Sequence, residues 1–305
     1  MKTLPNSCVC GEQESEFAFP VADWNFSNVT ETGLMRRCLA CASLFPDRFP
    51  DEGSIGFAYR TYYTVPSRKS LAGQARRAAL EMLQGDMTSR HLPASAKRVL
   101  DFGCGSGAWL ARMKDMRPEL ELAGTDITRP DVPSLPFRWI DPVDMPAESQ
   151  SFDWITLSHV LEHVPDPLET LRSLVGCLAP GGAIWIATPN AQSYLFASLK
   201  GRARDADFPR HRQIFSRAAL EQLGKACGLD CRFEMPPRIN AVLNLGTGLA
   251  ARARPPIDVA PPVGPLRPIA ATASHLLKAR HRRMAEAPEH ILIASRMAGA
   301  GQVDG

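Results

Sequence analysis

Runs of apolar residues alternate with helical patterns along the middle of the chain and predict strand–helix units. Residues 98–102 form a short apolar run that leads into glycines, and a helical pattern of apolar residues follows. The runs at 120–126 and 152–158 have the same character, which is typical of central parallel strands. Strands that alternate with helices in this way predict a parallel sheet with helices on both faces.

The end of the chain continues this pattern but contains an insertion. Residues 236–285 are rich in proline and separate the last two predicted strands. The apolar piece 239–250 and the basic, amphipathic piece 270–285 are both predicted to be helical. Covering an acceptor site, forming a dimer contact and touching a membrane surface are three roles open to this insertion. The other predicted elements are strands at 183–188, 230–235 and 289–297 and helices at 168–178 and 217–227, the second capped by Ser216.

The glycine-rich stretch after the first of these strands has the form of a ligand-binding loop. Gly103, Gly105 and Gly107 alternate with small residues, so a ligand can approach backbone amides at the start of a helix. Asp101 adds a negative charge beside the loop, which suits a ligand with a cationic group as well as an anionic end. Asp126 ends the next strand, where an acid binds ribose hydroxyls in nucleotide-binding folds.

These motifs resemble those of the class I S-adenosylmethionine (SAM) dependent methyltransferases. The stretches VLDFGCGSG, DPVDMPAESQSFDWITLSHVLEHVPDP and LAPGGAIWIATPN follow one another in the family's order, with the acid at 126 after the first. The resemblance implies a Rossmann-like seven-stranded α/β sheet and methyl transfer from SAM to an O or C atom of a small-molecule acceptor. It also implies SAM-binding roles for Asp101, Gly103, Gly105, Gly107, Asp126, Ile127, Asp141 and Ser158.

Asp141 follows the third predicted strand, at a place where the sequence departs from the family pattern. The resemblance implies that this acid binds the adenine amino group and that the next residue donates its N–H to the ring. Here the next residue is Pro142, which has no N–H, so Val143 would have to be the donor. The alternative is that Asp141 caps a turn.

Four of the eight cysteines lie within the first 41 residues and predict a zinc site. Cys8 and Cys10 form a C-x-C pair, and Cys38 and Cys41 form a C-x-x-C pair. Four thiolates on two short loops give tetrahedral zinc coordination, which stabilises segments too small to bury a core. The segment resembles the zinc module of some bacterial sugar C-methyltransferases, whose first pair is usually C-x-x-C. Reduced, unligated cysteines are the alternative.

These patterns divide the chain into three predicted parts. Residues 1–48 are a zinc-binding module, residues 49–97 are a helical lid or linker, and residues 98–305 are the SAM-dependent methyltransferase domain. The linker contains a tyrosine-rich segment at 57–63 and a predicted helix at 68–84. The tyrosines either fold over the cofactor, as the resemblance implies, or pack the helix against the main domain.

Three histidines are candidates for the base that a hydroxyl or carbon-acid acceptor requires, because histidine titrates near neutral pH. His159 and His163 follow the fourth predicted strand, and His211 lies in the basic loop 200–216. A positive patch in this loop would favour an acceptor that carries phosphate or carboxylate. The resemblance of the loop and of the cysteine module to those of the relatives implies a nucleotide-linked sugar or a cell-surface glycan precursor. The alternative is a solvated basic loop.

Composition narrows the function further. The 305 residues are 45% hydrophobic and 22% charged with a formal charge of +3, which is ordinary for a globular protein and does not indicate nucleic-acid binding. No apolar run is long enough for a transmembrane helix and no signal peptide is evident, so we expect a cytoplasmic protein. A non-catalytic SAM-binding or scaffold protein is the alternative to an enzyme, and the oligomeric state cannot be read from the sequence.

Overall fold

The structure is a computed structural model, and it describes most of the chain. The predicted tyrosine segment and the predicted helix at 68–84 lie outside the described residues. None of the helices it describes is long and apolar enough to cross a membrane. The described residues are 8–23, 32–48, 88–130, 134–251 and 266–297, without the side chains of 239 and 247–251.

A three-stranded antiparallel sheet forms the N-terminal part. Its strands are β1 (Ser15–Ala22), β2 (Thr32–Cys38) and β3 (Leu44–Pro46), paired in the order β1-β2-β3. Apolar side chains of this sheet pack with those of residues 191–214 in one buried cluster. These three strands were not predicted from the sequence. The division into three parts stays a prediction.

A seven-stranded sheet forms the body of the protein and confirms the predicted fold class. The order is β6-β5-β4-β7-β8-β10-β9, and β10 runs antiparallel to both of its neighbours. The strands are β4 (Arg98–Phe102), β5 (Glu121–Thr125), β6 (Arg138–Trp139), β7 (Phe152–Ser158), β8 (Leu178–Pro189), β9 (Leu229–Glu234) and β10 (Glu289–Arg296).

Helices cover both faces of this sheet, as predicted. Val99 packs in one buried cluster with side chains of the first helix. Leu100 packs in a different cluster with side chains of the second and fourth helices, because successive side chains of a strand point to opposite faces. The helices are α1 (Ala108–Met116), α2 (Pro167–Cys177), α3 (Tyr194–Leu199), α4 (Arg217–Ala226), α5 (Arg238–Ala251), α6 (Leu266–Leu277) and α7 (Arg280–Glu286).

Most boundaries agree with the sequence to within a few residues. Ser216 caps α4, because its hydroxyl accepts the N–H of Ala219 at 3.1 Å. The third predicted strand, in the stretch FRWIDPVDMP, is short. It corresponds to β6, which has only two residues, and a 3₁₀ helix follows at Pro142–Ala147. The fifth strand is longer than predicted, since β8 begins at Leu178.

The insertion packs on α3 through the ring of Tyr194. The Tyr194 hydroxyl donates to the carbonyl of Ala241 on α5 at 3.3 Å and lies 3.1 Å from the Thr272 hydroxyl on α6. The ring of His275 stacks on the same tyrosine, with centroids 4.7 Å apart. The insertion is therefore built onto the end of the sheet that carries the ligand edge.

Candidate active site

A cavity of about 520 Å³ lies at the carboxyl ends of β4, β5 and β7. This is the edge at which open α/β sheets bind their ligands. A wider depression of about 790 Å³ lies at the amino ends of the strands and has none of the predicted site residues in its lining. The predicted residues that line the first cavity are Gly103, Gly105, Asp126, Ile127, Ser158, His159 and His163.

The glycine loop bends back on the tip of β5. The amide of Gly103 donates to the carbonyl of Thr125 at 2.8 Å, and the amide of Gly105 donates to Asp126 Oδ2 at 2.7 Å. Gly103 has a φ of +80°, and a Cβ there would lie 2.3 Å from Val160. Gly105 has a φ of +54°, but a Cβ there would meet nothing within 4 Å. Gly105 is therefore the glycine at which a side chain would enter the cleft without first disturbing the protein's own packing.

Asp101 lies just below this loop and is buried. Its Oδ1 accepts the hydroxyl of Thr156 at 2.6 Å. Burial raises the pKa of Asp101 to about 7, the Thr156 hydrogen bond opposes that rise, and the charge of Asp126 adds to it. Asp101 lies beneath the cavity and is not one of its lining residues.

Asp141 has the contact that the turn alternative requires. Its Oδ1 accepts the N–H of Val143 at 3.2 Å, and it caps the 3₁₀ helix that starts at Pro142. The Val143 amide, the donor suggested for adenine, is therefore already bonded. The adenine role of Asp141 stays a prediction.

His159 lies between two carboxylates. Its Nδ1 is 3.3 Å from Glu162 Oε1, and its Nε2 is 3.2 Å from Glu289 Oε2. Partial burial opposes protonation, but these two partners outweigh it and raise the pKa of His159 to about 10. His159 is accordingly an imidazolium at neutral pH and has no lone pair with which to accept a proton.

His163 and His211 form an edge-to-face pair beside it, with ring centroids 4.6 Å apart. Burial and the proximity of His211 lower the pKa of His163 to about 4. The Nδ1 of His163 is 3.2 Å from the carbonyl of Arg210 and acts as the donor, which makes Nε2 the basic nitrogen. His211 is buried, and its Nδ1 is 2.8 Å from the carbonyl of Asp205.

Glu162 connects the three histidines and is fully buried. Its Oε2 accepts the hydroxyl of Thr188 at 2.9 Å. Burial would raise the pKa of Glu162, but His159 and the other two imidazoles lower it to about 2. One carboxylate oxygen of Glu162 and one ring nitrogen each of His163 and His211 lie within 4.8 Å of one another.

Two important residues of this cluster were missed in the sequence. Glu289 begins β10 opposite Pro189 of β8, so its carboxylate reaches His159 across a strand pair. Asn240 of the insertion donates to the same carboxylate. The residues that flank Asn240 and Glu289 in the sequence do not indicate a role in the site. The one available signal was that Glu289 is a charged residue at the start of an otherwise apolar strand.

The cations of the basic loop lie in different environments, and both roles considered for the loop stay predictions. Arg210 is fully buried and forms ion pairs with Asp23, after β1, and with Asp207 at 2.7 Å. Those carboxylates raise its pKa against the effect of burial. Arg202 is also buried, whereas Arg212 lines the cleft. Arg210 also belongs to the cleft lining, but its charge is neutralised inside the protein by these two carboxylates.

The four predicted zinc ligands lie together. The Sγ atoms of Cys8 and Cys41 are 3.3 Å apart, those of Cys10 and Cys38 are 3.6 Å apart, and all four fall within 4.8 Å. Zn–S bonds of about 2.3 Å in a tetrahedron put sulfurs roughly 3.8 Å apart. The four thiols thus fit a zinc ion, with three of them buried.

The cysteine cluster is joined directly to the loop that borders the cleft. The Cys41 thiol is 3.3 Å from the Ser43 hydroxyl, which accepts the N–H of Ser216 at 3.0 Å. Leu44 and Ile214 exchange backbone hydrogen bonds of 2.9 and 2.8 Å. The N–H of Arg212, two residues earlier, donates to the carbonyl of Glu162 at 2.8 Å, so the N-terminal sheet supports the histidine cluster through this loop.

Gly105→Val should weaken SAM binding at least tenfold while the protein stays folded. The side chain would enter the cleft, and the left-handed backbone costs roughly 1–2 kcal/mol of stability. Gly181→Val is the matched control, because Gly181 also has a positive φ and open surroundings but lies outside the cleft lining. Calorimetric titration with SAM and thermal melting measure both effects. Equal loss of SAM affinity in the two variants would contradict this placement of the pocket.

Cys38→Ser with Cys41→Ser should remove bound zinc and lower the melting temperature. SAM affinity should stay near that of the wild type, since the glycine loop does not contact this cluster. Cys227→Ser with Cys231→Ser is the control, because these thiols lie outside the four-cysteine group. Elemental analysis and thermal melting provide the two readouts. Unchanged zinc content and melting in the first variant would show that the cysteines are unligated.

Comparison with known proteins places these motifs in a family. The family model described as a methyltransferase domain matches residues 72–232, more than half of the chain. Two relatives are 33% and 32% identical to this chain over 129 residues. They are the ubiquinone biosynthesis O-methyltransferases of Xanthomonas campestris pv. campestris (strain B100) and Chromobacterium violaceum. Those stretches cover 39% and 38% of this chain but 54% and 55% of the relatives, so the chain spans about half the length of the curated relatives that it matches.

Solved structures also match this chain, at low sequence identity. An O-methyltransferase family protein from Burkholderia thailandensis is 14% identical with a TM-score of 0.47, over 79% of this chain and 63% of the other. A SAM-dependent methyltransferase from Thermotoga maritima, described as a possible histamine N-methyltransferase, is 12% identical with a TM-score of 0.47, over 78% of this chain and all of the other.

Proposed function

The chain belongs to the methyltransferase domain family, and from this premise we propose that it is a SAM-dependent methyltransferase acting on a hydroxyl oxygen of a small acceptor. One observation carries the proposal. A single cleft contains the glycine loop, an acid at the tip of β5 and a histidine that is neutral at physiological pH. The first two suit the nucleoside end of SAM, and the histidine suits an acceptor that must lose a proton.

Methyl transfer is an in-line displacement that depends mainly on alignment of the acceptor oxygen, the methyl carbon and the sulfur. In this proposal Asp126 binds the ribose hydroxyls and Asp101 attracts the cationic part of SAM. His163 Nε2 takes the hydroxyl proton as the oxygen attacks, while the imidazolium of His159 stays protonated between its two carboxylates. His211 supports His163, because it is buried against it and bonded to the backbone.

Two acceptor classes fit different observations. The resemblance of the cysteine module to that of sugar C-methyltransferases favours a nucleotide-linked sugar or a cell-surface glycan precursor. The names of the curated relatives favour an O-methylated ring such as a ubiquinone precursor. The lining beyond the glycine loop includes the apolar residues Val160, Val164 and Pro209, which fit a ring that carries one hydroxyl. Arg212 in the same lining fits an acceptor that also carries an acidic group.

Transfer of tritium from methyl-labelled SAM to phenolic, catecholic and sugar-nucleotide acceptors tests the proposal. We expect SAM binding by calorimetry and label in a hydroxyl-bearing acceptor, with both lost in Asp126→Ala. SAM binding without transfer to any acceptor, including a metabolite extract, would favour the alternative of a non-catalytic SAM-binding protein. Absence of SAM binding would overturn the proposal altogether.

SAM affinity should depend on pH through Asp101. A cationic ligand prefers the ionised carboxylate, and the pKa of Asp101 is raised to about 7 in the free protein, so binding below pH 7 must release a proton. Affinity should therefore fall as the pH drops from 8 to 6, by up to about tenfold per pH unit at the acid end. Asp101→Asn retains the titration of SAM itself and should abolish this slope. An identical slope in the variant would assign the effect to the ligand.

A further inference from the structure

The helix α6 exposes an apolar face. Leu266, Ile269 and Leu277 are 77%, 46% and 87% exposed, and the exposed alanines 270 and 273 continue the same stripe at helical spacing. The opposite side of the helix is buried against the Tyr194 ring through Thr272 and His275. The contacts with the body of the protein therefore fix which side of α6 points outward, and that side is apolar.

The chain around this face is strongly basic. Residues 266–285 contain five lysines and arginines and no acid. Arg280, His281 and Arg282 on α7 are exposed, and Lys278 pairs with Glu286 just beyond the segment. Exposed apolar side chains beside clustered cations are the pattern of helices that lie in the interface of an anionic bilayer.

This surface lies next to the active-site cleft. The carbonyl of Ala287, directly after α7, accepts the side-chain amide of Asn190 at 2.9 Å. Two residues later Glu289 holds His159, which lines the cleft. Contact of α6 and α7 with a partner would therefore be connected to the histidine cluster through the few residues that follow α7.

We propose that α6 and α7 form a docking surface for an anionic phospholipid bilayer. Charge complementarity selects this occupant: anionic lipid attracts the basic segment, whereas a second copy seated on the same face would bring two basic segments together. The α6 helix has 12 residues, fewer than the roughly 20 needed to span a bilayer, so it lies in the interface plane. The docking does not depend on the proposed reaction, but it would bring the cleft to membrane-bound acceptors.

Co-sedimentation of the full chain with vesicles tests this surface. We expect binding to phosphatidylcholine vesicles that contain phosphatidylglycerol, little binding to pure phosphatidylcholine, and weakening as salt rises. Leu266→Ser with Ile269→Ser and Leu277→Ser should reduce the binding at least about tenfold, since the inserted apolar area is lost. Its control carries Phe17→Ser, Leu39→Ser and Met116→Ser, which are exposed by more than half elsewhere.

Charge reversal provides a second measurement. Arg280→Glu with Arg282→Glu should reduce binding to anionic vesicles by roughly tenfold or more, whereas Lys97→Glu with Lys225→Glu, exposed outside the surface, should change it little. Wild-type melting and SAM affinity in every variant would show that the fold is intact. Equal vesicle binding in all variants, or none by the wild type, would overturn the proposal. Self-association of the wild type that the α6 changes abolish would assign the face to a second copy instead.

Discussion

Replacing His163 by glutamine should lower kcat by about 10²–10⁴-fold while SAM affinity stays near that of the wild type, because the proposed mechanism makes the imidazole the general base and not a SAM ligand. His163 lines the cleft, and its Nδ1 is held by the carbonyl of Arg210, so Nε2 is the basic nitrogen of the ring. Single-turnover transfer of labelled methyl measures the loss. His281→Gln, on the exposed surface of α7, is the control and should retain full activity.

The pH profile separates His163 from its neighbours. The neutral imidazole is the active form, so activity should be lost as the pH falls through about 4, the lowered pKa of His163. His159 stays protonated until the pH approaches its raised pKa of about 10, so it should not produce a limb near neutrality. The profile is measured as kcat at saturating SAM, so that the pH dependence of SAM binding does not enter it. A loss of kcat centred near pH 6.5, the usual value for histidine, would assign the base to another residue.

Replacing Arg210 by methionine should lower the free energy of unfolding by about 3–5 kcal/mol at neutral pH, because two buried carboxylates lose their cation. The partners Asp23 and Asp207 are 1% and 8% exposed, so bulk water can compensate them only little. The loss should shrink as the pH is lowered, since protonation neutralises the carboxylates that Arg210 pairs with in the wild type. Urea unfolding at neutral and mildly acidic pH measures both the size and the pH dependence.

Arg138→Met is the matched control for this variant. Arg138 also pairs with a carboxylate through two hydrogen bonds, to Glu148 at 2.6 and 2.8 Å, but its side chain is 55% exposed. Exposed pairs contribute at most about 1 kcal/mol. Arg210→Lys retains the charge but not the fork geometry, so its loss of unfolding free energy should lie between those of the two methionine variants. Equal small losses for both methionine variants would mean that the buried network contributes no more than a surface pair.

The sequence predicted most strands and helices from 98 to 235, although not α3, because their signals are local. Each strand is a short apolar run, and Ser216 caps its helix with a side chain three positions from the amide that it accepts. The insertion's helices also follow from composition. The short β6 was overestimated because Ile140 is buried like a strand residue but precedes the turn at Pro142.

The N-terminal sheet and the charged contacts of the site could not be read in this way. The alternation in β1 is broken by a register shift between Phe17 and Phe19, so its period of two residues is not visible. Arg210 looks exposed in a basic loop, and only folding brings Asp23 to it. His159 looks like a typical neutral histidine until the strand order places Glu289 against it. Such contacts depend on topology rather than on neighbouring residues.

The contacts between the N-terminal segment and residues 210–213 also determine when the first part of the chain can complete its folding during synthesis. Val9 donates to Gln213, a separation of 204 residues, and Asp23 meets Arg210 across 187 residues. At about 5–20 residues per second, the first strands wait roughly 10–40 s on the ribosome before their partners are translated. The thiols of the first 41 residues are without their final covering through that interval, so metal capture by the nascent chain would protect them from oxidation before the enzyme is complete.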